Sequence, residues 1–182
     1  MNKKIGFIGG GNMGSAMISG FFFRRTGNLD RLAASYGIQT TLDNTTVAKT
    51  ADIIFLAVKP YLYEDVIEEI RDIINDDKLI VAIAAGVSHS KLDDYFGKPV
   101  KIVRAMPNTP AMVLEAMSAL SPNEHVSTEE LQSVVAIFES FGKAEVVPES
   151  LMDAVVGVSG SSPAYVYMFI EAMADAAVAD GM

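Results

Sequence analysis

The sequence predicts an α/β protein in which a doubly wound parallel sheet, residues 1–148, precedes the first helical part of an all-α C-terminal domain, residues 149–182. Three observations carry this reading. Short apolar runs rich in β-branched residues recur at Ile5–Ile8, Ile53–Val58, Leu79–Ala84 and Val100–Ala105. Helical patterns lie between or after them, and a glycine-rich turn closes the first run. Continuous rather than alternating hydrophobicity marks strands buried on both faces of a parallel sheet. Strands that alternate with helices imply right-handed crossovers.

Taken in order, Ile5–Ile8 is the first strand, and Gly9-Gly10-Gly11-Asn12-Met13-Gly14 follows it. Leu29, Leu32, Ala33 and Tyr36 form one helical stripe, and Val66, Ile67, Ile70 and Ile74 form another. Ser127-Thr128-Glu129-Glu130 reads as a cap with acids in the first turn, ahead of Leu131, Val134, Val135 and Phe138. Near Pro148 the character changes. From Leu151 the chain is almost uncharged and rich in Ala and Met, and from Ala164 it reads as a helix apolar nearly all round. Such a helix needs partners on most sides. The pattern stops at Asp180-Gly181-Met182, so the remaining helices of this domain, or of a subunit interface, are expected beyond it.

Composition narrows the function classes. The 182 residues are 50% hydrophobic and carry a net charge of −9. That balance argues against nucleic-acid or anionic-membrane partners, which need clustered Lys and Arg. A phosphate-bearing small ligand is still compatible, because backbone N–H groups hold phosphate without side-chain charge. With no cysteine, neither disulfides nor thiolate chemistry is expected. The N-terminus lacks a signal-peptide core and no run of ~18 apolar residues occurs, so a cytoplasmic protein is expected.

The glycine loop has the spacing G-x-G-x-x-G at Gly9, Gly11 and Gly14, after a strand and opening a helix. Gly9 suits the tight turn, Gly11 close approach of a pyrophosphate, and Gly14 close helix–strand packing, which makes the sheet Rossmann-like. The next element is irregular. Asp30 has the spacing of an acidic ribose ligand but sits in a helical stripe, while Arg24-Arg25-Thr26 would suit a 2′-phosphate. Ile5 to Thr26 is shorter than the ~30 residues of a βαβ unit, so a segment is expected to be missing near Phe23-Arg24. The choice between NADP and NAD is therefore open.

Further segments resemble one family. Ala57-Val58-Lys59-Pro60, Ala84-Ala85-Gly86-Val87 and Arg104-Ala105-Met106-Pro107-Asn108-Thr109-Pro110 each end a strand, and Asp153–Tyr165 contains Gly157-Val158-Ser159-Gly160-Ser161-Ser162-Pro163. With Gly6-Phe7-Ile8-Gly9-Gly10-Gly11-Asn12-Met13 they are similar to pyrroline-5-carboxylate reductase over nearly the whole chain. The resemblance implies an oxidoreductase of proline biosynthesis that reduces a cyclic imine carboxylate with NADPH or NADH. It implies cofactor contacts at Gly9, Gly10, Gly11, Asn12, Met13, Asn44, Ala57, Val58, Lys59, Pro60, Ala85 and Gly86. Met106, Pro107, Asn108 and Thr109 would stand beside the nicotinamide and substrate, with Asn108, Thr109 and amides near Ser159–Ser162 as carboxylate donors. It further implies a homo-oligomer formed through C-terminal helices, and a chain that without them does not complete its active site.

No catalytic side chain is singled out, since hydride transfer belongs to the cofactor, and no metal is expected. Lys59 has the alternative of a plain surface lysine, and Asn108 that of a stiff structural turn between prolines. His89 and His125 are expected at the surface, Met168 and Met173 in a core, and Asp76-Asp77 and Asp93-Asp94 at solvated helix ends. Two other functions fit the architecture: a β-hydroxyacid dehydrogenase or imine reductase, and a non-catalytic nucleotide-binding module.

Overall fold

The computed structural model describes residues 3–22 and 37–182, with helix side chains placed up to Ile18 in the first segment. The Leu29–Tyr36 stripe, Asp30 and Arg24-Arg25-Thr26 lie outside the described residues. Within them the chain forms β1 (Ile5–Ile8), α1 (Asn12–Phe22), α2 (Asn44–Thr50), β2 (Ile53–Leu56), α3 (Tyr63–Ile70) and β3 (Leu79–Ala82). There follow α4 (His89–Phe96), β4 (Lys101–Met106), β5 (Ala116–Pro122), α5 (Thr128–Glu139) and β6 (Gly142–Val146). The short α6 (Met152–Val155) runs through a π-turn at Val156–Gly160 into α7 (Ser162–Ala179).

The sheet has the order β1-β2-β3-β4-β5-β6 among the described residues. β1 to β4 are parallel and paired with Ile8 opposite Leu56, Leu56 opposite Ala82, and Ala82 opposite Arg104. Their carboxyl ends therefore share one edge. The four strands expected from the sequence are thus parallel; β5, which the sequence did not announce, runs antiparallel to β4 and carries β6 with it. Only a short 3-10 turn, Thr109–Val113, joins β4 to β5. A parallel connection needs a crossover of a dozen or more residues, so the chain doubles back. α5 then supplies the crossover that makes β6 parallel to β5.

Side-chain period two sorts the strands into two cores. Ile54, Leu56, Ile80, Ala82 and Ile102 pack with Ala48 of α2, Val66, Ile67 and Ile70 of α3, and Leu92 and Phe96 of α4. Ile53, Phe55, Leu79, Val81, Val103 and Ala105 pack with Ala16 and Met17 of α1 and Val134, Ile137 and Phe138 of α5. Every residue of β2 and β3 is buried, as the unbroken apolar runs require.

Local chemistry sets the helix ends. Ser127 caps α5 by accepting from the Glu130 amide, while Glu130 reaches back to the Ser127 amide in a capping box. The same Glu130 accepts from Lys101 Nζ of β4 at 2.7 Å. Asp43 caps α2, and hydrogen bonds from the Thr46 and Thr45 hydroxyls hold its carboxyl below the ordinary value. α4, which has no strong sequence signature, is bounded by the Ser88 cap and by Gly97 at φ 66°.

Among the described residues α7 is the one long element without a core. Tyr165, Tyr167, Phe169 and Ile170 are exposed, and Met168 and Met173 retain 67% and 50% exposure. The expectation that these methionines fill a core fails within one chain, because no other described element covers the helix. Among the described residues no helix is long and apolar enough to cross a membrane.

Candidate functional site

Four chain segments leave the carboxyl edge of β1–β4 side by side, the place where open α/β sheets bind ligands. The first is the glycine loop. Gly9 has φ 105°, and a Cβ there would stand 2.5 Å from the Ala57 carbonyl oxygen. A Cβ at Gly14 would lie 2.5 Å from the Gly9 carbonyl oxygen and 3.3 Å from Ala57 Cβ. The two glycines thus let α1 and the end of β2 close on each other. Ser15 fastens the turn, its amide donating to Gly11 O at 2.8 Å and its hydroxyl to Gly10 O at 3.0 Å. Asn12 and Met13 open α1, so their amides belong to the unpaired, electropositive end of the helix.

The second and third segments follow β2 and β3. Both strands stop two residues short of their apolar runs: Ala57 and Val58 turn away after Leu56, and Ile83 and Ala84 after Ala82. The Ala57 amide still donates to Ile8 O at 2.8 Å. Between β2 and β3, however, the ladder is interrupted by Tyr63. Its hydroxyl donates to Leu56 O at 2.7 Å and accepts from the amides of Ile83 at 3.1 Å and Ala84 at 3.2 Å. Burial, partly offset by these two amides, pushes the phenol well above the usual tyrosine range, so it stays protonated. Lys59 and Pro60 lie exposed at the start of a 3-10 turn, and Ala85 and Gly86 are exposed beyond β3.

The fourth segment is Met106-Pro107-Asn108-Thr109. Asn108 is held at both ends of its carboxamide. Oδ1 accepts from the Met117 amide at 3.0 Å, and Nδ2 lies 3.3 Å from Ser159 Oγ and 3.4 Å from Ser159 O, within the π-turn. The π-turn closes through the Ser161 amide and Val156 O at 3.0 Å. Gly160 sits against Met106, whose Cε would be 2.9 Å from a Cβ at that position. Thr109 is exposed. Asn44 is placed differently, by a helix and not by a strand end: its Nδ2 donates to Glu69 Oε2 of α3 at 2.8 Å.

Beneath this edge lies a polar knot that the sequence reading missed. Arg104 of β4, 6% exposed, donates through Nη1 to Glu149 Oε1 at 2.7 Å. The His89 amide donates to the same oxygen at 2.7 Å, and His89 Nδ1 lies 3.3 Å from Oε2. His89 Nε2 is 3.0 Å from Ser121 O. The surface role expected for His89 is thus corrected: its ring is wedged between β5 and Glu149, while His125 is exposed. Asp93 also departs from a solvated helix end, since Oδ1 is buried without a hydrogen-bond partner among the described residues and desolvation, then nearby Glu124, raises its pKa. Tyr63 was discoverable from its spacing, because it shares the stripe of Val66, Ile67 and Ile70, where a buried hydroxyl must find partners. The Arg104 knot has no such signal, since its members are far apart in sequence.

A parallel sheet with a glycine loop opening the first helix, and three more loops on the same edge, defines a dinucleotide-binding oxidoreductase fold. The comparisons give the family. Residues 149–182 match the family model described as pyrroline-5-carboxylate reductase dimerisation, and residues 4–86 match the one described as NADP oxidoreductase coenzyme F420-dependent. Pyrroline-5-carboxylate reductase of Escherichia coli (strain K12) is 49% identical over 195 positions, covering 100% of this chain and 72% of the relative. The Coxiella burnetii enzyme superposes with a TM-score of 0.90 at 33% identity, covering 100% of this chain and 73% of that one. A Plasmodium falciparum pyrroline carboxylate reductase structure with NADP bound gives 0.87 at 32% identity, covering 100% of this chain and 71% of that one. The chain belongs to the pyrroline-5-carboxylate reductase family. Its 182 residues fill a 195-position alignment with the Escherichia coli relative, so at least 13 of those positions are gaps in this chain.

Proposed function

We propose that this protein reduces 1-pyrroline-5-carboxylate to L-proline with NADPH or NADH, as the last step of proline biosynthesis. The observation that carries this reading is the shared carboxyl edge, where the loops after β1, β2, β3 and β4 adjoin in a member of this family. The glycine loop fits a dinucleotide. Gly9 and Gly14 are explained by close packing inside the protein, whereas a Cβ at Gly11 would meet nothing within 4 Å. An open, side-chain-free position at a helix N-terminus suits a pyrophosphate.

On this reading Gly9–Met13 hold the diphosphate, and Asn44, Ala57–Pro60, Ala85 and Gly86 line the path of the adenosine and nicotinamide. Met106–Thr109 face the substrate side. The reduced nicotinamide, when bound, supplies the hydride that adds to the imine carbon, and the nitrogen takes a proton. The protein's part is to orient the two rings and exclude water. Because its carboxamide is committed to Met117 and Ser159, Asn108 shapes the substrate side, leaving Thr109 and amides near Ser159–Ser162 to meet the carboxylate. Residues 1–148 form the nucleotide-binding domain. Residues 149–182 begin a helical domain whose exposed apolar α7 pairs with a second copy. The match of 149–182 to a dimerisation family model supports that division. The net charge of −9 offers little to nucleic acid, and a cytoplasmic location is part of this reading.

The test is steady-state oxidation of NADPH and of NADH by the full-length protein with pyrroline-5-carboxylate and, in the reverse direction, reduction of NADP+ and NAD+ with a panel of β-hydroxyacids. Turnover confined to the cyclic imine is the expected result. Turnover of a β-hydroxyacid instead would reassign the chemistry, and saturable binding without any turnover would leave a nucleotide-binding module.

A further inference from the structure

We propose that Tyr63 is a positioning residue for the cofactor crevice, setting the separation of the loops after β2 and β3 through its hydroxyl. The inference rests on the cofactor reading above. In a parallel ladder with Leu56 opposite Ala82, the amide of the next residue, Ile83, would donate directly to Leu56 O. The structure relays that bond through a side chain: Ile83 N donates to Tyr63 Oη, and Tyr63 Oη donates to Leu56 O. The Ala84 amide takes the remaining lone pair. A phenol hydroxyl offers one donor and two acceptor sites, so every one is used, and three main-chain groups at the strand ends are satisfied by one atom.

The relay widens the gap between the strand ends by about one hydroxyl group, and it does so where Ala57–Lys59 and Ala85-Gly86 diverge. Tyr63 cannot move to relieve it, because the ring is 0% exposed in the core shared with Ile54, Leu56, Ile67 and Ala82. α3 anchors the ring from one side, and all three hydrogen bonds of the hydroxyl are to backbone. Removing the oxygen leaves two choices. The strands zip together and narrow the crevice, or the Leu56 carbonyl and the Ile83 and Ala84 amides stay unpaired. Either alters the backbone that the cofactor meets, while the core keeps its packing.

The experiment compares wild type, Tyr63→Phe and Ile67→Val in the full-length protein. Ile67 is buried on the same helix and makes no polar contact with the strand ends. NADPH binding is measured by titration well below each melting temperature, together with KM for NADPH, KM for the imine, and kcat. Tyr63→Phe is expected to raise the NADPH dissociation constant and KM about tenfold, with a much smaller change in KM for the imine. Ile67→Val is expected to lower Tm with NADPH affinity within twofold of wild type. Affinity unchanged in Tyr63→Phe, or weakened equally in Ile67→Val, overturns the proposal. Should Tyr63→Phe not fold, hydrogen exchange in the wild type decides: NADPH is expected to slow exchange at Ile83 and Ala84, and unchanged rates there overturn it. A wild type that binds no NADPH would instead remove the functional reading on which the proposal stands.

Discussion

Arg104 and Glu149 meet at 2.7 Å across 45 residues of sequence, joining the middle of the sheet to the start of the helical segment. Arg104 is buried in β4, while Glu149 begins the 3-10 turn that precedes α6. A buried guanidinium must keep its carboxylate, because an unpaired charge in the interior is far more costly than the pair is beneficial. The contact therefore fixes where the C-terminal helices leave the nucleotide-binding part.

Glu149→Gln is expected to lower stability by about 1–2 kcal/mol at pH 7, a figure reduced for the carboxylate's partial exposure. Partial burial pushes the carboxyl up, but hydrogen bonds from the His89 amide and Arg104, and their charges, outweigh it and hold it below the ordinary 4.5. A depressed carboxylate stabilises the fold fully above its unfolded value, and the stabilisation is lost as pH falls through the folded one. The Tm difference between wild type and Glu149→Gln should accordingly shrink as pH falls below the ordinary 4.5. A difference independent of pH would refute the charge argument.

Gly11→Ala and Gly14→Ala separate ligand space from packing space. With nothing near a Cβ at position 11, Gly11→Ala should keep Tm while weakening NADPH binding by tenfold or more, roughly 1.4 kcal/mol. Gly14→Ala drives a methyl against the Gly9 carbonyl, so it should lower both Tm and affinity. Calorimetry with NADPH titration checks the pair; intact binding in Gly11→Ala counts against a pyrophosphate there.

Ser118 of β5 is fully buried and its hydroxyl has no hydrogen-bond partner among the described residues. Its alternate neighbours Ala116 and Leu120 face the apolar core with α5. Ser118→Ala should stabilise the protein by about 1 kcal/mol, visible as a raised Tm, since a stranded hydroxyl is removed at almost constant volume.

Asn108→Ala removes the tie between the β4 end, Met117 and the π-turn at Ser159. We expect a loss of about 1–2 kcal/mol in stability. Activity should fall chiefly through kcat and KM for the imine, with NADPH affinity close to wild type. If NADPH affinity collapses instead, Asn108 serves the cofactor and not the substrate side.

Much of this molecule was legible in its residues. Unbroken β-branched runs such as Ile53-Ile54-Phe55-Leu56 between helical patterns read as strands covered on both faces, and the capping box at Ser127 and Glu130 announces α5 locally. β5 and β6 were not legible, since Ala116–Pro122 and Gly142–Val146 are small, mixed runs whose strand state depends on their neighbours. α2, a helix of only 7 residues without a strong stripe, was also missed, and of α4 only a helix end at Asp93-Asp94 was expected.

The sequence by itself determined the layered α/β class, the glycine loop and the family, because periodicity, turn chemistry and motif spacing are local properties of the chain. Only the tertiary structure decided that β5 reverses direction, that His89 and Arg104 close on Glu149, and that Tyr63 stands between β2 and β3. Those relationships join residues from 7 to 60 positions apart, and the identity of the backbone and side-chain partners in such contacts is set by the fold, which no local pattern encodes.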